Sequence, residues 1–560
     1  MAEETEKKKK TAQDIIATAD QLKSEKTTWE ARWQEVMDYL LPRKSDIIRM
    51  TFGPKQTTQI FDSTGAEANQ VFAAGMFGHL CPATTRWMQI EPADEDLKRS
   101  KNVMNWCAKT SEAIIYALAN SNFGQEITES FLNHGSVGTD NLYLEPDRPL
   151  GSQLIFQNIP ISEMLIMENY QGIVDAHYRL FKLNPRQAIQ WFKKENLSDS
   201  INKAAEDPKK KLEKFDFIHC VEPREEYDSS KVDTVNKPFA SSIIEVKSKH
   251  MVKEGGYFEN PFITSRFLKT QGESYGWSPG IQVLPEIKTA NAWMRILLAA
   301  AEKVVDPALQ LPNDGFILPI KTQPGGLNFY MPQAKDARIE PIKTGGDLPD
   351  GMAILDLLQR KIKRAFYNDL FIILEQESKI PKTATEILER SEERILLLVF
   401  YLGRLEYELF QQLAIRILGI LLRAKKIDDP PPELRKTGGF KVVMTSKLAQ
   451  RIKKAEVAAY RDVLQMGLEI AKYTGMNEHF DNMNFDQIFP DLMDMSGCPT
   501  RWKNTETQIK KIREDRVKAA QAQQEQEMLA MAAQNANKLG KKIEEGSPLG
   551  MLGEASGMEQ

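Results

Sequence analysis

The chain has 560 residues, 41% hydrophobic and 27% charged, with a formal net charge of −4. That is the balance of a folded globular protein too long for one simple domain, and without bulk positive charge any nucleic-acid contact must be local. Cys81, Cys107, Cys220 and Cys498 are scattered with no CxxC pair, which fits free thiols in a reducing compartment rather than a disulfide scaffold.

The opening MAEETEKKKKTAQD lacks an apolar h-region and does not read as a secretory signal. Thr11 to Leu41 reads as an amphipathic helix with Trp29 and Trp33 one turn apart, stopped by Pro42. In QIFDSTGAEANQVFAAGMFGHLCPATTRWMQI, one of Asp62, Ser63 or Thr64 caps a small-residue helix from Ala66 to His79. Its Ala73, Ala74 and Gly75 permit close packing; Pro82 breaks it, and Arg86-Trp87 leads into a strand. Helices follow at about Asp96 to Ala119 and Phe123 to Asn133.

From Asn141 to Lys182 the period changes to two. Strands are expected at Leu142–Glu145, Leu154–Asn158, Glu163–Glu168 and Ile173–Lys182, then at Phe215–Val221 and Ile243–Lys249. Pro185 starts a short helix between these groups, and the basic run Lys209 to Lys214 reads as solvated surface. A long helix is expected from Gln282 to Val305, with Pro285 tolerated in its first turn. The region after it is punctuated by proline and glycine and holds about three short strand candidates. Gly351 to Leu374 reads as a second long helix with an apolar stripe of Ile354, Leu358, Ile362, Ala365 and Phe366. Arg360, Lys361, Lys363 and Arg364 form a basic cluster on it, for which a solvated, ion-paired face is the plain alternative.

A polar link, EQESKIPK, then precedes a proline-free stretch from Thr383 to Lys426, opened by a Thr383/Glu386 capping box. A helix of about 44 residues would be roughly 66 Å long, so it should cross a large assembly or bend, with Gly403 the natural place. Ile395 to Leu402 is apolar on every face and so should be buried in a core or between subunits. Beyond the prolines at 430–432, a strand at Phe440–Thr445 and a helix at Leu448 to Lys472 are expected. The Gln- and Ala-rich tail from Arg501 should be helical to about Asn537, with the last twenty residues disordered. The fold class is therefore α+β, mainly helical.

No motif points to catalysis or to a cofactor. The Gly540-Lys541 pair lacks the upstream glycine of a phosphate-binding loop. The six histidines show no HxxxH spacing, and His219 should diverge from both Cys220 and Glu222 on a strand. Glu386, Glu389, Glu392 and Glu393 read as a solvated helix start rather than as a metal site. The longest apolar run, ILLLVFYLG, is too short to span a bilayer.

Taken in order, the segments IFDSTGAEANQVFAAGMFGHLCPATTRWMQI, SNFGQEITES, SYGWSPG, Asp306–Gly326 and FYNDLFIILEQESKIPKTATEILERSEER resemble the head-to-tail connector (portal) proteins of short-tailed bacteriophages. The likeness runs from about Thr11 to Cys498. It implies a non-enzymatic ring, usually of twelve subunits, made in the bacterial host cytoplasm and placed at one capsid vertex. Double-stranded DNA would pass through its channel during packaging and ejection. The resemblance makes residues 1–281 an outer wing, 282–305 and 351–374 two stem helices, and 306–350 a β-rich clip. It makes 375–382 a tunnel loop with Glu375, Glu377, Lys379 and Lys382 facing DNA, beside the basic cluster Arg360, Lys361, Lys363 and Arg364. Residues 383–445 would return to the wing, 446–540 would form the crown, and 541–560 a disordered tail. Implied partners are the terminase, major capsid and scaffolding proteins, and tail adaptor or tail tube proteins, with no membrane. A tail adaptor or a DNA-packaging enzyme are the alternative readings.

Overall fold

In a computed structural model, the described residues are 10–44, 47, 60–82, 86–146, 154–228, 233–234, 236–310, 340–341, 348–371, 398–437, 439–445, 463–470, 472–473, 488 and 506–539. The chain divides into two units, Met1–Asn477 and Glu478–Gln560. In the first, helix α1 (Ala12–Leu40) starts at a capping box: Thr11 Oγ1 accepts from Asp14 N–H and the Asp14 carboxylate accepts from Thr11 N–H. Its Ile15 and Ala19 pack on a sheet, while Trp33, Val36, Met37 and Leu40 enter the main core. Helix α2 (Thr64–Leu80) follows, then strand β1 (Met88–Pro92), α3 (Lys101–Ala119) and α4 (Phe123–Ser136).

The β part has two antiparallel sheets. In the first, β2 (Thr139–Pro146) lies between β3 (Leu154–Asn158) and β9 (Phe262–Arg266). The second runs in chain order: β4 (Met164–Glu168), β5 (Val174–Leu183), β6 (Phe215–Pro223), β7 (Phe239–Glu245) and β8 (His250–Tyr257). Its strands keep the period of two: Phe217 joins a core formed with the short helices α5 (Pro185–Phe192) and α6 (Asp199–Glu206), whereas Ile218 and Cys220 meet α1 on the other face. Strands β8 and β9 were not expected from sequence. HMVKEGGY hides its periodicity behind charges and a glycine pair, and all five residues of β9 are buried, so it has no alternation.

Two junctions hold this unit together across long sequence distances. Strand β1 pairs antiparallel with β12 (Phe440–Met444), so Met88 opposes Met444. The segment SYGWSPG folds against the α4–β2 turn: Ser278 Oγ donates to Ser136 O at 2.5 Å and Gly276 N–H donates to Thr139 Oγ1 at 2.8 Å. Gly138 has φ +81° and its backbone runs directly against Gly276, leaving no room for a side chain at either.

Helices α7 (Pro279–Gln282) and α8 (Leu284–Val305) follow. The region after α8 is described only at Leu309–Gln310 (β10) and Glu340–Pro341 (β11), which pair antiparallel. Helix α9 (Leu348–Ala365) does not run unbroken as expected for 351–374: a turn interrupts it, with Tyr367 at φ +57°, and helix resumes at 368–371, the last described residues of this stretch.

The long helix is described from Leu398 to Arg423. It comprises an α part, Val399–Leu405, a π-helical turn, Glu406–Gln411, and a second α part, Gln412–Arg423. Gly403 lies inside regular α-helix, so the irregularity falls three residues later than expected. Leu398 and Tyr401 are buried as foreseen, but Phe400 is 83% exposed, so the apolar run is not enclosed by its own chain. Of the helix expected at Leu448 to Lys472, residues 463–470 are helical, and its start lies outside the described residues.

In the second unit, Glu506–Leu539 forms one helix, close to the expected span. Residues 511–531 are exposed throughout, so this stretch buries almost no apolar surface. Truncation after Arg516 is therefore expected to leave assembly and solubility unchanged by size-exclusion chromatography; loss of the soluble oligomer would make the tail part of the assembly.

Candidate functional site

Helices α8 and α9 form an antiparallel hairpin. Trp293 Nε1–H of α8 donates to Gly351 O of α9 at 2.8 Å. A Cβ on Gly351 would sit 2.6 Å from Leu297 Cδ2, so glycine sets how closely the helices approach. The base of the hairpin is pinned to the loop before α2. Asn291 Oδ1 accepts from the backbone N–H groups of Phe61 and Asp62 at 2.6 and 3.2 Å, and Gln359 Nε2 donates to Asp62 Oδ2 at 2.7 Å. Asp62 also accepts from Thr64 N–H at 2.8 Å, so a residue foreseen as a helix cap holds the hairpin as well.

The chain leaving α9 is anchored by Phe366, Leu370 and Phe371, all buried. Phe371 lies against Gly75 of α2, where any Cβ would overlap its ring, and it stacks on His79 with centroids 5.9 Å apart. The small-residue face expected on α2 thus receives the end of the hairpin.

Away from this base the hairpin is largely uncovered. On α8 only Leu284, Ile287, Ala290 and Asn291 are buried. Ile296, Leu298, Val304 and Val305 are about half exposed or more, as are Met352, Ile354 and Leu357 on α9. Ile354 was expected in the buried stripe; Leu355 takes that place, with Ile362 and Phe366. Arg360, Lys361, Lys363 and Arg364 are all exposed, and Arg360 is paired with Asp356 one turn earlier. The structure therefore gathers the basic cluster on the outside of a helix whose opposite side is packed. Glu375, Glu377, Lys379 and Lys382 lie outside the described residues, as does most of 306–350.

Of the histidines, His134, His177 and His219 are core groups. His219 Nε2 lies 3.0 Å from Ser241 Oγ, and burial pushes its pKa down to about 3. Its neighbour Cys220 sits on the opposite face among Ile15, Tyr178 and Ile218. Among the described residues no cluster of His, Cys, Asp and Glu could hold a metal ion, and no helix is long and apolar enough to cross a membrane.

Sequence reasoning missed the charged groups that seat the long helix. Arg266, whose side chain is 2% exposed, pairs with Glu408 at 2.8 Å and also with Glu168. Glu259 receives Arg416 at 3.0 Å and Arg423 at 2.6 Å. Their separation by 98 to 164 positions leaves no local spacing signal.

The family described as "Bacteriophage head to tail connecting protein" matches residues 12–502. The chain is 27% identical over 547 residues to the "Probable portal protein" of Bordetella phage BPP-1, covering 96% of each chain. It is 25% identical over 565 residues to the "Portal protein" of Salmonella phage epsilon15, covering 100% of each.

Proposed function

The chain belongs to the bacteriophage head to tail connecting protein family, and from that premise we propose that twelve copies close into a ring whose channel passes double-stranded DNA. It is a structural component of the virion at the portal vertex, not an enzyme. The observation that carries the ring is the uncovered exterior of the α8–α9 hairpin. Two paired helices keep seven large apolar side chains, among them Ile296, Val305 and Leu357, turned away from their own core. Large apolar side chains left exposed in this number on one helix pair are the mark of a further protein contact.

In this reading residues 282–305 and 351–374 are the stem, 1–281 and 383–445 the wing, and 446–540 the crown, with 541–560 a tail. The segment 306–350, between the hairpin's two helices, is the clip that meets terminase and later the tail adaptor or tail tube. Capsid and scaffolding proteins surround the wing. The exposed side chains of Arg360, Lys361, Lys363 and Arg364 contact phosphates without reading bases. The net charge of −4 keeps that contact weak enough for DNA to slide.

Glu375, Glu377, Lys379 and Lys382 form the narrowing of the channel, touching DNA in passing through charges of both signs. Replacing 375–382 with a short Gly/Ser link removes these charges and little apolar surface. The variant is expected to form rings and procapsids that fill or retain DNA poorly, read as DNA content per particle beside ring formation by the same variant. Wild-type filling and retention would remove the loop from the DNA path; failure to form rings would make it a structural hinge.

A further inference from the structure

The long helix is held to the β body by two charge clamps of opposite polarity, and a π turn lies at one of them. In the first clamp the helix supplies the anion. Glu408 accepts from Arg266 N–H at 2.9 Å, from Arg266 Nη2 at 2.8 Å and from Arg404 Nη1 at 3.2 Å. Arg266 is the last residue of β9, and it also donates to Ser274 O and Gly172 O, both at 3.2 Å. Burial alone would lower the Arg266 pKa, but the hydrogen bonds and charges of Glu408 and Glu168 outweigh it and leave it raised.

In the second clamp the helix supplies the cations. Arg423 forks onto both oxygens of Glu259, at 2.6 and 2.7 Å, and Arg416 adds a bond at 3.0 Å. A Cβ on Gly419 would overlap the Glu259 carboxylate, so the absence of a side chain there is what admits it. Glu259 stands just before β9. Both clamps therefore grip the two ends of one short segment, 259–266.

The phase of the helix explains why a π turn separates its two α parts. Leu405, Leu409, Leu413, Ile417 and Leu421 are all buried at a strict spacing of four. Four residues of α-helix turn about 400°, so that spacing walks off the buried face by about 40° per step. A π turn takes in nearly one extra residue, roughly 80° per residue, and winds the drift back. The same correction aligns the clamps. In unbroken α-helix Glu408 and Arg416 would stand about 80° apart; three steps of π geometry reduce this to about 20°. Arg416 and Arg423, seven residues apart, are already within about 20°.

We propose that the clamps and the π turn form a divided register lock. Glu408, within the π turn, ties the joint and, through Arg404, the N-terminal part to β9; Glu259 fixes the C-terminal part; and the π turn lets one part shift while the other stays docked. A uniform α-helix would transmit any displacement along its whole length. Here the extra residue in the π turn can absorb it, and only the bonds of Glu408 need to break.

Hydrogen–deuterium exchange on the full-length, assembled protein tests this directly. Glu408→Gln keeps the side-chain shape but removes the negative charge that faces Arg266. It is expected to speed exchange of amides in 398–408 at least tenfold and to leave 412–423 within about twofold of wild type. Glu259→Gln is expected to give the reverse pattern. Equal acceleration of both parts by either variant would make the helix a single rigid body and overturn the lock, as would unchanged exchange in both. Should Glu408→Gln fail to fold, Arg404→Met removes only the outer partner of the same carboxylate. About threefold acceleration confined to 398–408 is then expected, and a uniform or absent response overturns the proposal equally.

Discussion

Arg266→Ala is expected to destabilise the chain by about 3 kcal/mol, the lower end of the range for removing one partner of a buried ion pair. The side chain is almost fully buried and serves two carboxylates, Glu168 and Glu408, which are 17% and 11% exposed. Without the guanidinium both carboxylates remain desolvated. Lys269, 2.6 Å from Glu168, and Arg404, 3.2 Å from Glu408, soften the loss, which is why the upper end is not expected. Two backbone carbonyls, Gly172 O and Ser274 O, lose a donor as well. Arg266→Lys is expected to recover little, because a single ammonium cannot span positions that a planar fork reaches together. Chemical denaturation followed by tryptophan fluorescence measures the difference. A change below about 1 kcal/mol would place the site among ordinary exposed pairs.

The second large effect concerns assembly. Ile354→Glu with Leu357→Glu places two carboxylates on the exposed apolar exterior of α9, where the wild-type side chains are 46% and 51% exposed. Neither residue contributes to the hairpin's own buried core, so the folded chain should be nearly unaffected. In the proposed ring each subunit would lose the remaining burial of two half-exposed aliphatic groups, roughly half of the 1.5–3 kcal/mol that full burial of each contributes, and would gain two charges to desolvate. Native mass spectrometry is expected to show a large oligomer for the wild type and a drop of more than tenfold in its fraction for the double variant at micromolar concentration. Wild-type circular dichroism should accompany that drop. A variant that keeps the full oligomer would exclude this face from the subunit contact, and a monomeric wild type at that concentration would count heavily against the ring.

Much of the architecture was legible from local signals because local chemistry decides it. The Thr11–Asp14 box starts α1 where expected, Pro285 sits in the first turn of α8, and Leu154–Asn158 was recovered residue for residue. Capping, proline geometry and alternation act within a few residues, so a single sequence contains them. The connector resemblance was also readable, as an ordered series of short segments, and the family match over residues 12–502 bears it out.

Tertiary structure decided what local chemistry leaves open. Five buried residues in a row gave β9 no period, and only its pairing with β2 makes it a strand. The helix at 348–365 ends two residues before Tyr367, and the chain beyond it brings Phe371 onto the small-residue face of α2, a demand no spacing within α9 encodes. The π turn behaves the same way. The four-residue leucine spacing is visible in the sequence, yet an α-helix, a bend at Gly403 or a π turn could each have answered it. Arg266 and Glu259, more than a hundred positions away, hold the helix at that turn and beyond it, and burying charge is tolerable only where its partners are already held in place.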